Sequence, residues 1–285
     1  MLTAPYVLPA EFRAHPTFLN TDNLRTDAMA PEAQTAELNN VLLMASVWAD
    51  EVCNQPLGAH QVVQSQRAGC REGNLQLFAD HGPVLSVSSV AVGQTPTSLT
   101  PVSDLSGLWV QAERLVLVPF GGALSRLGPG SKLFARWTYI AGHVATALTE
   151  DADVGATSLT VEDPTGILPE SSYRLWEPGA EEAVTVAASF VPPAVTAPPT
   201  PVAVPLAAPT RFAHTEGASW SGMPADARLA ITNYAVSLLL RPDTTAEDEF
   251  PDGATSTTRS EDSRPTGMGL VKEARRMLAS HARVR

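Results

Sequence analysis

Aromatic side chains make up 6% of this 285-residue chain and charged ones 17%, both low, and there are only two cysteines. Cys53 falls on an expected helix and Cys70 beside Gly69 in an expected loop, without paired ligand spacing. Neither a disulfide framework nor a thiolate metal site is therefore expected. Long apolar runs are missing too: none approaches the ~20 residues of a membrane span. The N-terminus lacks the charged and apolar segments of a secretory signal, so a soluble protein made in the cytoplasm is expected, with no membrane partner. Bases are scarce, Lys and Arg numbering 19 against 30 Asp and Glu, for a net charge of −11. That balance argues against broad nonspecific binding to DNA or to anionic lipid.

Motifs for chemistry are equally thin. The histidines (His15, His60, His81, His143, His214 and His281) are dispersed, and no two stand at helical ligand spacing. Asp151, Asp153 and Glu162 occupy positions of a calcium-loop template, but Ala156 stands where its glycine must be. The run from Gly217 to Gly222 misses a nucleophile elbow, because Ser221 takes the place of the second glycine. Gly121-Gly122 and Gly128-Pro129-Gly130 have no following Lys-Ser/Thr, so no phosphate loop is expected. The reading is a non-enzyme with no catalytic residue, cofactor or metal.

What the chain does have is 44% apolar residues, 24 prolines and 19 glycines, a composition of short strands and turns with a real core. Residues 1–20, with Pro5, Pro9 and Pro16, read as an extended arm, followed by a short helix at 22–29. A long helix is expected over 31–54, where Leu38, Val41, Leu42, Ala45, Trp48, Ala49 and Val52 recur at helical spacing. From His60 the period switches to two, and strands are expected at 61–67, 74–78, 84–92, 108–111, 114–118 and 132–140. Further strands at 158–161, 173–176, 183–188, 202–206 and 218–220 form a separate β module of sandwich or sheet type. Within it the 192–201 stretch, PPAVTAPPTP, reads as a projecting hairpin loop.

Met223 to Pro242 reads as a helix with Pro224 at its first position, Asp226 in its positive first turn and Pro242 forbidding continuation. One apolar stripe runs through Ala227, Ala230, Ile231, Tyr234, Ala235 and Leu238, and a second through Leu229, Val236 and Leu240. Two stripes imply cover on two sides, in a large core or between subunits. Residues 243–268 are polar and low in large apolar groups, as in a linker. The final stretch from Leu270 carries Val271, Ala274, Met277 and Leu278 as a narrow apolar stripe among Lys272, Arg275, Arg276, Arg283 and Arg285. A tethered amphipathic helix of this kind is expected to dock on a partner.

The strand end Thr138-Tyr139-Ile140-Ala141-Gly142, the Pro83-led strand Val84-Leu85-Ser86-Val87, and the Pro-led, Ala-rich helix from Pro224 carry a resemblance. Their order resembles the tailed-bacteriophage head–tail connector (adaptor) proteins. In that family the strand runs almost directly into the helix, whereas here the β module stands between them. The resemblance implies an α+β fold, with N- and C-terminal helices packed on an antiparallel sheet or small barrel. It implies these divisions: 1–146 for the arm, helix and β core, 147–221 for the inserted module, 222–242 for the completing helix, 243–268 for the linker, and 269–285 for a basic docking helix. It also implies a homo-oligomeric ring, expected to be a dodecamer, in the virion neck. The portal protein would lie above it, a downstream neck or tail protein below, and genomic DNA would pass through without specific binding. Subunit contacts are expected at Leu229, Val236 and Leu240, with Trp48 and Tyr234 in the core. Portal docking is expected at Lys272, Arg275, Arg276, Met277 and Leu278. Alternative readings are a stopper or tail terminator, a carbohydrate-binding adhesin using Tyr173, Trp176 and Trp220, and a DNA-binding protein using the basic helix.

Overall fold

A computed structural model describes residues 2, 4–17, 19–25, 27, 29–119, 132–240 and 267–283. The chain is α+β, as expected, and its contacts divide it into two units. The helical unit comprises Met1–Asn54 with Pro224–Ala282, and the β unit Gln55–Met223 with Arg283–Arg285.

In the helical unit, α1 (Pro9–Ala14) forms where an extended arm was expected. The prolines that suggested an arm are spaced widely enough for one short helix, with Pro9 in the first turn, where a missing N–H costs nothing. Phe12 anchors it in the core. No helix forms among the described residues of 22–29. The buried Gln34 side chain accepts from the Arg25 N–H and donates to the Arg25 carbonyl, which satisfies that backbone without a helix. α2 (Pro31–Cys53) has Pro31 in its first turn and ends at Asn54 in the left-handed conformation. Leu38, Val41, Leu42, Ala45 and Ala49 line its buried side.

α3 (Ala225–Leu239) starts one residue later than expected. Pro224 is its N-cap, with ψ 149°, and not its first helical residue. α4 (Gly267–Leu278) continues into a 3-10 turn, Ala279–His281, and packs chiefly on α3 with a smaller contact to α2. The linker expected over 243–268 and Arg285 lie outside the described residues, apart from the helical backbone of 267 and 268.

The β unit holds two cores. Strands β1 (His60–Arg71), β2 (Asn74–Phe78), β3 (Val84–Thr95), β4 (Ser98–Pro101), β5 (Trp109–Gln111), β6 (Leu115–Pro119) and β7 (Lys132–Ala141) form one antiparallel sheet. Its order is β4-β3-β7-β1-β2-β6-β5. Alternation places Leu75, Leu77, Val116, Val118, Trp137 and Tyr139 on its buried side. The unexpected β4 pairs with β3 across a register shift, so its four residues show no clean alternation to read from sequence.

The second core belongs to β8 (Ala145–Ala147), β9 (Ser158–Val161), β10 (Ser172–Glu177), β11 (Ala180–Thr185), β12 (Val202–Pro205) and β13 (Ser219–Ser221). One sheet runs β11-β10-β13-β8, and β12 pairs with β9. Antiparallel bridges from Leu148 to Val161 and from Val186 to Leu206 continue β8 onto β9 and β11 onto β12. The order β9-β12-β11-β10-β13-β8 thus returns to β9, a closed antiparallel barrel where a sandwich or sheet was expected. Closure leaves no continuous unpaired edge. Trp220, Leu175, Val161, Val186 and Val204 fill the interior. The proline-rich 192–201 loop joins β11 to β12 as a largely exposed hairpin connection.

Candidate assembly surfaces

The strand-end motif at 138–142 is a node of the β unit. Tyr139 is buried, its Oη donates to Gln64 Oε1 at 2.8 Å and accepts from the His81 N–H at 3.2 Å. Gln64 in turn accepts from the Asp80 N–H and donates to the Phe78 carbonyl, both at 2.9 Å. Gly142 has φ +101°, and a Cβ there would collide with the Gly58 carbonyl. Its N–H donates to the Pro83 carbonyl at 2.9 Å, which ties the motif to the start of β3.

Beside this node, His60 Nδ1 lies 2.8 Å from the Gly58 carbonyl and must carry the proton there, because a carbonyl only accepts. His60 Nε2 then accepts from His81 Nδ1 at 2.7 Å. Burial lowers the pKa of both rings, and for His81 the neighbouring His60 and the Arg283 guanidinium add to it. The dispersed histidines of the sequence therefore include a neutral, hydrogen-bonded pair that spacing along the chain could not reveal.

In the barrel, the fully buried His214 ring lies between two carboxylates. Its Nε2 is 2.9 Å from Glu182 Oε1, and its Nδ1 is 3.7 Å from Glu177 Oε2. Glu182 also accepts from the Arg211 and Phe212 N–H groups. Burial works to raise the Glu182 carboxyl, but hydrogen bonds from His214 and these amides outweigh it, and the net pKa is lowered. The cluster fastens the 211–215 segment to β11. Asp151, part of the calcium-loop pattern, accepts from the Glu216 N–H. Among the described residues no group of three or more His, Cys, Asp or Glu could hold a metal.

The expected contact residues divide by burial. Leu229 on α3 and Leu240 at its C-cap are half-buried, whereas Val236 on α3 is buried. The second stripe of α3 is thus covered at Val236 by its own chain. Trp48 and Tyr234 stack with ring centroids 3.8 Å apart and planes within 2°. On α4, Lys272, Arg275 and Arg276 are exposed and Met277 is half-buried. Arg276 makes two hydrogen bonds to Glu273. Leu278 is fully buried, and its carbonyl lies 3.8 Å from Cys53 Sγ. His281 reaches Asp226 at 3.1 Å. The tail helix therefore belongs to the helical unit, in which Leu278 packs as a buried residue. The apolar stripe that suggested a partner surface is satisfied mainly by α3.

Tyr173, Trp176 and Trp220 are buried in the barrel unit, which removes the aromatic platform of the adhesin reading. Among the described residues, the exposed large apolar groups besides Met29, Val154, Val191 and Phe212 in loops are Val63, Phe78 and Trp109 on the seven-stranded sheet, and Met44 and Val47 on α2. Sequence reasoning passed over these. Their signal was an apolar residue on the polar face of an otherwise alternating element.

No protein family and no curated protein matches the sequence. Among solved structures, a chain in the neck of an empty GTA particle, computed with C6 symmetry, is similar at 16% identity and a TM-score of 0.38. The match covers 100% of this chain and 94% of that one.

Proposed function

We propose that this chain is a structural neck protein of a tailed-phage-like particle, a head–tail connector that assembles as a ring beneath a portal. The observation that carries this reading is the order of elements. A long α2, an antiparallel sheet ending in the Tyr139–Gly142 node, a Pro-led α3 and a basic terminal helix follow one another as in the connector proteins the sequence resembles. The node fits the role of a shared framework, since Tyr139 and Gly142 each satisfy a local geometric need. The barrel enters between Gly142 and Pro224, where an insertion leaves the seven-stranded sheet and its core intact. A net charge of −11 suits a channel wall past which DNA slides, because neutralised phosphates are what make DNA adhere.

In this reading Lys272 and Arg275, exposed on α4, face the portal, with Arg276 and Met277 beside them. Leu229 and Leu240 remain available for subunit contacts. The test is co-purification with a portal ring, followed by negative-stain imaging. Wild-type protein should bind in fixed stoichiometry, and Lys272→Glu with Arg275→Glu should abolish binding while leaving the fold intact. Unchanged binding by the double variant would remove the docking role of α4. Failure of the wild type to bind would remove the connector reading.

A further inference from the structure

The seven-stranded sheet and α2 each present a solvent-facing surface that is apolar at its centre, and the two carry opposite charge. On the outer side of the seven-stranded sheet, Phe78 stands opposite Leu115, and Leu117 opposite Trp109. Arg67 stands opposite Phe134, with its guanidinium over that ring at 5.0 Å, and Ser65 stands opposite Arg136. Val63, Phe78 and Trp109 are each more than half exposed. Among the described residues that alternate onto this side in β1, β2, β5, β6 and β7, none is acidic. In a chain of net charge −11, a sheet face with arginines and no acid is a pronounced departure.

The outward side of α2 is its complement. Glu32, Ala36, Asn40, Met44, Val47 and Glu51 are all exposed and follow one another at helical spacing. The whole helix contains no Lys, Arg or His. Met44 is 54% exposed and Val47 40%, flanked by acids at both ends of the stripe.

Like-to-like pairing of either surface fails on charge: sheet on sheet sets arginine against arginine, and helix on helix sets glutamate against glutamate. Pairing one with the other buries both apolar centres and matches both charges. We propose that the outer face of the seven-stranded sheet in one copy binds the outward face of α2 in a second copy. Such a contact is heterologous, so the copy at each end of the assembly keeps one unused surface, and the assembly grows head to tail until it closes. Closure into a neck ring rests on the connector reading, whereas the pairing of these two faces does not.

The test uses charge exchange in the full chain. One variant carries Arg67→Glu and Arg136→Glu, and the other carries Glu32→Arg and Glu51→Arg. All four positions are exposed, so circular dichroism and thermal unfolding should match wild type. By sedimentation velocity and native mass spectrometry, wild type should self-associate. Each variant alone should associate about 100-fold more weakly. Mixed in equal amounts the two variants should assemble again, since each now offers the surface the other needs. Wild-type protein that stays monomeric overturns the proposal. So does a variant that assembles like wild type, or a mixture that fails to assemble. Portal co-purification reads the connector role separately: assembly through these faces without portal binding would sink that role alone.

Discussion

Tyr139 on β7 and Gln64 on β1 hold each other across the seven-stranded sheet through a 2.8 Å hydrogen bond, and together they hold the 78–81 turn. The Phe78 carbonyl and the Asp80 and His81 N–H groups all end on these two side chains. Tyr139→Phe keeps the ring and its stacking on Trp137 but leaves the His81 N–H without its acceptor. The expected cost is about 1–2 kcal/mol in chemical denaturation. A cost near zero would mean that water replaces the phenol.

Gly142→Ala should be far worse than alanine at an open glycine. Gly142 combines φ +101° with the Gly58 carbonyl in the path of a Cβ, so both strain and collision oppose the change. Gly179 shares the positive φ, at +81°, but has open space around it. Its alanine variant should lose about 1 kcal/mol, while Gly142→Ala should lose several-fold more or fail to fold. Equal losses would show that strain alone decides.

The sequence disclosed elements better than neighbours. Strands β2 and β9 were legible to the residue because regular alternation is bounded by turn residues on both sides. α2 was legible because its buried stripe is long and uninterrupted. What escaped was closure of the barrel, since it depends on two single-residue bridges, Leu148–Val161 and Val186–Leu206, that extend strands past their ends. The fate of the tail escaped for a related reason. A narrow apolar stripe on α4 is equally suited to another protein or to α3, and only the fold chooses. The Gln34 clamp on Arg25 shows the same limit at short range, because a polar side chain replaced the helix that local propensity suggested.

Acid should weaken the β unit in two steps. His60 and His81 both have pKa values below the ordinary histidine, so the unfolded chain binds protons that the folded pair refuses. Their contribution is complete above the unfolded value of about 6.5 and is lost as pH falls from there toward the folded values. Glu182 has a depressed folded pKa, so its contribution is complete above about 4.3 and is lost as pH falls through the folded value. Thermal unfolding should therefore show a falling Tm first below about pH 6.5 and again below about pH 4.3. His81→Asn should flatten the first step and Glu182→Gln the second. A first step that survives in the His81 variant would assign it to other groups.

Cys53 offers a reporter for the helical unit alone. Burial, with the Asp50 carboxylate adding to it, pushes its thiol pKa up to about 12, and the side chain is fully enclosed. Cys70, on β1, is half-buried and its pKa is raised less. A disulfide reagent should label Cys70 first, and Cys53 only when the helices open. Mild denaturant that accelerates Cys53 labelling without unfolding the β sheets would show that the units open independently. Rapid labelling of Cys53 in native protein would contradict the packing of Leu278 against it.

The tail helix supplies the decisive comparison between fold and tether. If α4 is a structural part of the helical unit, Leu278→Ala removes a fully buried side chain next to Cys53 and should destabilise that unit by about 2–5 kcal/mol. Arg275→Ala, on the exposed side of the same helix, should change stability by less than about 0.5 kcal/mol. Measured by the Cys53 labelling rate in increasing denaturant, the first variant should open earlier and the second should track wild type. A free tether would give the opposite pattern, with neither substitution altering Cys53. The two positions share one helix, so helix propensity does not explain a difference between them. Packing against α3 and α2 does.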